Sequence, residues 1–247
     1  MMQDQIKSTL DRWLLAETHD KLVDAGLQDN PPNHLCLSVM PVVRTYAMSI
    51  LDLINGQYRL PTMGLLRVLA ELVLTTCWCL VEPDPEVKIR RWLKQSYIER
   101  KKFLKHLVDL GGIPENDKAE FSREIEEVSQ QIDAIEESPA GKFWSRIGEI
   151  PSEAGENYKA MYQLLYRPFH RAIHPDLTVL GDTLRQNREE IRSLGDLGAD
   201  HIPVHSLMKA CVHLVYQLVA HVRAYQKWDT EQLKKEYFAV LGGLDAQ

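Results

Sequence analysis

Apolar residues recur every three or four positions through nearly the whole chain, and that spacing predicts helices. Ile6, Leu10, Trp13 and Leu14 form the first such stripe, with Gly26 as its stop. The run Asp29-Asn30-Pro31-Pro32-Asn33 predicts a loop. A second helix is expected from about His34 to Asn55, kinked or restarted at Pro41. Thr62 is expected to cap a third helix that reaches about Val81, and Glu82-Pro83-Asp84-Pro85 breaks it.

The next pattern changes character. From Asp84 to about Leu110 the positions Ile89, Leu93, Tyr97, Leu104 and Leu107 share one broad apolar face. Gly111-Gly112 turns the chain, and Pro114 suits the first turn of a following helix. There Phe121, Ile125, Val128, Ile132 and Ile135 alternate steps of four and three, a coiled-coil-like seam, while the other faces are charged. Residues 84–138 therefore read as a long antiparallel helical hairpin able to bind a protein partner or mediate assembly. Loops are expected at Ser138-Pro139-Ala140-Gly141 and from Gly148 to Gly155, and a helix through Tyr158, Tyr162 and Leu165. The stretch from Pro203 to Trp228 is strongly apolar and predicts a central core helix. Thr230 to Leu241 predicts a last helix with Gly242-Gly243 as its stop. The pattern as a whole predicts an all-α fold, a multi-helix bundle in a single domain 1–247 with the hairpin as a subregion.

Composition narrows the function classes. The chain has 247 residues, 45% hydrophobic and 26% charged, which fits a globular domain and excludes wholesale disorder. A net charge of −6 excludes a generally basic nucleic-acid coat protein, so any role with RNA must rest on a local patch. The cysteines Cys36, Cys77, Cys79 and Cys211 include no Cys-x-x-Cys and read as reduced thiols of a cytoplasmic protein. The N-terminus lacks the basic-then-apolar order of a signal peptide. Leu60 to Val81 contains Arg67 and Glu71, which a membrane span would bury at high cost, so a core helix and no membrane partner are expected.

Candidate chemistry concentrates in Tyr166-Arg167-Pro168-Phe169-His170-Arg171-Ala172-Ile173-His174-Pro175. Arg167, His170, Arg171 and His174 sit three or four apart, the spacing of one helical face. Arginine offers planar, charge-assisted hydrogen bonds to phosphate, and histidine moves protons near neutral pH. Arg67 and Glu71 are the only charges on an otherwise apolar helix, four residues apart in the weaker order for a helical pair. A buried charge needs more than one partner, so Glu71 is expected to reach Arg167, Arg171 or His174 from a neighbouring helix. His201, His205, His213 and His221 do not line one metal-binding face, and neither a metal nor a cofactor is expected.

Two segments resemble a known family. Leu65-Leu66-Arg67-Val68-Leu69-Ala70-Glu71 and Tyr166-x-x-x-His170-x-x-x-His174-Pro175 are similar to the best-marked stretches of a bacterial all-helical family of unknown function, over roughly Leu35 to Leu180. In that family a serine is common where this chain has His170. The arrangement also resembles the HEPN superfamily of helical bundles, many of them ribonucleases of toxin–antitoxin and antiviral systems. Its mark is an arginine and a histidine with four to six residues between them. Arg167 and His174 have six, and Pro168 stands where a polar residue usually follows the arginine.

The HEPN resemblance implies a metal-independent ribonuclease or RNA-binding effector acting as a homo-oligomer. His174 would be its acid or base, Arg167 and Arg171 would stabilise charge, and Glu71 would orient them. Arg67, His170 and Tyr166 would contribute to binding. The alternative is a non-catalytic scaffold or adaptor in which the same arginines, Glu71 and His174 form a closed polar network. A third reading is a sensor that holds a nucleotide or other small anion. Sequence leaves open whether the chain is an enzyme.

Overall fold

The computed structural model describes residues 2–25, 30–55, 58–81, 84–110, 113–135, 159, 162–163 and 203–245. All the regular structure among them is helical, with no strand, so the fold is all-α. The chain divides into two compact units, residues 82–145 and the remainder.

In the larger unit, α1 (Met2–Leu14) buries the expected Ile6, Leu10, Trp13 and Leu14. It passes through a π-helical turn, Leu15–His19, into α2 (Asp20–Asp24). Sequence gave no sign of this turn. The Asp20 N–H reaches the Leu15 carbonyl, five residues back, and the buried Thr18 hydroxyl donates to the Trp13 carbonyl at 2.7 Å.

Helix α3 spans Pro31–Asn55 and runs on through Pro41 as one element. The expected loop at Pro31-Pro32-Asn33 is instead its first turn. Prolines there sacrifice only N–H groups that lack an intrahelical partner, and the Asn30 carbonyl accepts from the N–H groups of Asn33 and His34 at 2.9 and 3.0 Å. Helix α4 spans Arg59–Leu80, so Thr62 is no cap: it lies buried inside the first turn, and its hydroxyl donates back to the Tyr58 carbonyl at 2.6 Å.

Helices α7 (Val204–Tyr225) and α8 (Glu231–Asp245) complete this unit as described. Helix α4 packs on both α3 and α7, and α1 also touches both. Every residue of α4 from Val73 to Leu80 is buried, which makes this stretch the centre of the core. Pro31–Ile54 and Pro61–Leu80 are long and apolar enough to cross a membrane by length and composition, with 39% and 67% of those windows buried. The burial of the second window against α3 and α7 fits the core helix expected there.

Gly242-Gly243 does not stop the last helix. Helix α8 runs one turn further because Leu244 is 2% exposed, an apolar anchor beyond the glycines, and Lys209 of α7 pairs with Asp245.

The smaller unit is the expected hairpin. Asp84 takes a left-handed conformation at φ 59°, which aspartate tolerates, and Pro85 opens α5 (Pro85–Asp109). Helix α6 spans Glu115–Ala134. Arg100 pairs with Glu124, and Lys94 Nζ donates to the Ile135 carbonyl at 3.3 Å, so rising numbers in α5 meet falling numbers in α6. Leu104 and Val128 are buried in the seam, with Phe121, Ile125 and Ile132 half-buried. Leu93 departs from expectation at 44% exposure. Leu93 precedes Lys94, whose partner Ile135 is the last described residue after α6.

Candidate functional site

Helix α4 carries the two expected site residues that the structure describes. Its buried positions Thr62, Met63, Leu66, Leu69, Ala70 and Val73 form a stripe at steps of three and four, and this stripe fixes the helix rotation. The opposite face holds Pro61, Val68 and Glu71, all exposed. Val68 is 40% exposed, an unusual position for a large apolar side chain on a core helix. Arg67 is half-buried beside this open face. Glu71 is not enclosed, against the expectation of a buried charge on this helix. The rotation follows from the apolar stripe, which leaves position 71 on the solvent side. An exposed carboxylate keeps its hydration and meets no desolvation penalty that an internal partner must offset.

The remaining candidates, Tyr166, Arg167, His170, Arg171 and His174, lie outside the described residues. Their spacing and chemistry are those of the sequence.

The structure also assembles polar clusters that no sequence spacing announced. Arg223 of α7 is buried, with its side chain 7% exposed. Its Nη2 donates to Glu17 on the π turn at 2.6 Å, and its Nη1 to the Asp229 carbonyl at 3.4 Å. Glu17 also accepts from Arg12, whose other terminal nitrogen donates to Glu236 of α8 at 2.7 Å. Trp13 Nε1 and Gln232 each add a hydrogen bond to Glu236 at 2.9 Å. The Arg12 hydrogen bond, aided by those from Trp13 and Gln232, pushes the Glu236 carboxyl down to about 2. This chain of charges ties α1 and the π turn to α7 and α8. Its guanidinium and carboxylate groups face one another, although Arg223 Nε is buried without a partner among the described residues, and the arrangement is that of a structural clamp.

Two histidines of α7 are also placed. His213 Nδ1 lies 2.6 Å from the Tyr237 hydroxyl, and Tyr237 stacks on Tyr216 with ring centroids 4.0 Å apart. His221 Nδ1 donates to the Gln217 carbonyl at 2.7 Å. Burial lowers the pKa of both imidazoles, which favours their neutral forms. Among the described residues no three His, Cys, Asp or Glu side chains are grouped to hold a metal ion. All four cysteines are buried free thiols. Burial pushes Cys36 and Cys211 up to about 12 and Cys77 well above its ordinary value, so these three are poor nucleophiles.

One family model matches the chain, that of DUF5677, described as a family of unknown function, over residues 33–191. The matched span takes in α3, α4, the hairpin and the Tyr166–His174 segment. No curated protein and no solved structure matches.

Proposed function

The chain belongs to the DUF5677 family of unknown function, and on that premise we propose that it is a HEPN-like RNA-binding effector and metal-independent ribonuclease of the cytoplasm. One observation carries the preference over a closed scaffold network: Glu71 stands on the open face of α4. A scaffold network would enclose it, whereas a site must admit its substrate. The cationic, imidazole-bearing segment Arg167–His174 supplies the chemistry.

In this reading His174 takes the proton of a ribose 2′-hydroxyl. The 2′-oxygen forms a bond to phosphorus, the bond from phosphorus to the 5′-oxygen breaks, and that oxygen leaves with a proton from a second acid or water. Arg167, with Arg171, neutralises the charge that gathers on the phosphoryl oxygens. Glu71 orients the arginines from α4. Arg67, His170 and Tyr166 bind the flanking nucleotide.

The test is cleavage of varied RNAs by wild type in the presence of a chelator, beside His174→Ala and Arg167→Ala. Both variants are expected to keep wild-type helicity and to lose about a hundredfold or more in rate, the scale of a missing acid–base group or charge stabiliser. A wild type that leaves every RNA intact overturns the catalytic reading.

A further inference from the structure

The outward face of α8 has a geometry that its own chain does not use. Glu231, Lys234, Lys235, Phe238, Gly242 and Asp245 recur at steps of three and four along it, and all are exposed. Phe238 is 58% exposed. Four residues on, Gly242 and its neighbour Gly243 sit inside the helix, where each costs about 1 kcal/mol relative to alanine. A Cβ at either would meet nothing within 4 Å, and neither takes a positive φ. The helix therefore tolerates two weakening residues that no contact among the described residues requires, beside a phenyl ring that tilts against Tyr237, centroids 5.3 Å apart, and leaves most of its surface open.

We infer that α8 is a homodimer interface, in which two copies of this helix cross antiparallel about a two-fold axis on the exposed face, level with Val240, whose own position falls on the inward stripe with Leu233, Tyr237 and Leu244. That axis exchanges position 238 with 242 and 235 with 245. Phe238 of each copy then enters the gap that Gly242 leaves on the other. Lys235 of each copy faces Asp245 of the other, twice over. The Asp245 side chain is 66% exposed, so it can accept from a second lysine besides Lys209. An isologous contact requires one patch to be complementary to itself, and this helix carries knob and hole, cation and anion, at equal distances from one centre.

A second copy is the occupant this symmetry selects. An unrelated helix has no reason to match knob with hole and charge with charge about a single point. A lone helix pair buries less than a standard stable interface, so a dissociation constant on the order of 10–100 µM is expected. The inference is independent of the catalytic reading.

Sedimentation equilibrium from micromolar to millimolar concentration tests it. Wild type is expected to dimerise. Lys235→Asp and Asp245→Lys, each of which sets like charges opposite one another, are expected to remain monomeric. An equimolar mixture of those two variants should recover the dimer, because both cross-pairs become attractive again. Gly242→Leu fills the hole yet raises helix propensity, so it should abolish the dimer while raising Tm. A wild type that stays monomeric throughout, single variants that dimerise like wild type, or a Gly242→Leu protein that associates normally would each overturn the inference. A monomeric wild type would leave this face to a helix of another protein.

Discussion

The α3–α4–α7 core and the α5–α6 hairpin share the same helical periodicity but not the same means of support. Helix α7 buries eleven of its 22 residues. Helix α5 buries one of 25, and α6 one of 20. The charges follow the same division. Helix α5 has eight lysines and arginines against three carboxylates, whereas α6 has seven carboxylates against two cations. Cations near the C-terminus of α5 and carboxylates in the first turn of α6 complement the helix dipoles, and Arg100–Glu124 links the two helices. Amphipathic spacing thus declares a helix without declaring how much of it will be enclosed. The core is held by apolar burial, and the hairpin by a thin seam with exposed ion pairs, which contribute little individually.

The largest expected effect lies in the core. Leu214→Ala, at a fully buried position of α7, should destabilise by about 3 kcal/mol, the middle of the range for such cavities. Leu104→Ala in the hairpin should cost less, because a thin seam collapses around the deletion. Amide hydrogen exchange sharpens the contrast: α7 should be the last element to exchange, and α5 and α6 should exchange well before it. Equal losses from the two substitutions, with equal protection, would erase the distinction.

A smaller effect separates the two regions by pH. Glu236 is held at about 2 in the folded chain, below its ordinary value of 4.5. A depressed carboxyl stabilises the fold fully above its unfolded value and loses that contribution as pH falls through the folded one. Wild type should therefore exceed Glu236→Gln in stability at neutral pH, and the difference should shrink from about pH 4.5 downward. Urea denaturation at a series of pH values reads this directly. A difference that persists unchanged to pH 3 would show that the Arg12–Glu236–Trp13 cluster is not the acid-sensitive clamp of the core.

Much of the fold was legible because burial and spacing agree in it. The stripe Ile6–Leu10–Trp13–Leu14, the apolar run of α7 and the seam at Val128 all face where their periodicity directs. The readings that failed were punctuation marks taken one residue at a time. Pro31-Pro32 opens a helix because first-turn N–H groups need no intrahelical partner. Gly242-Gly243 stays helical because Leu244 beyond it is buried. Thr62 bonds backwards instead of forwards. The clamp was illegible for a different reason: Arg12 and Glu236 are brought together only by the tertiary fold, and no local spacing encodes that pairing. For the candidate site, sequence supplied the residue types, and the structure added the orientation of one helix, turning Glu71 to the open side of α4.

That orientation is the most direct point of attack on the proposed function. Glu71→Gln should be measured for RNA cleavage and for Tm in the same preparation. An exposed orienting carboxylate predicts an unfolding free energy within about 0.5 kcal/mol of wild type, and so a nearly unchanged Tm, as for other surface substitutions, together with a loss of cleavage at least tenfold. Loss of stability by several kcal/mol with cleavage unchanged would mean that Glu71 serves the fold and not a site, and would contradict the account.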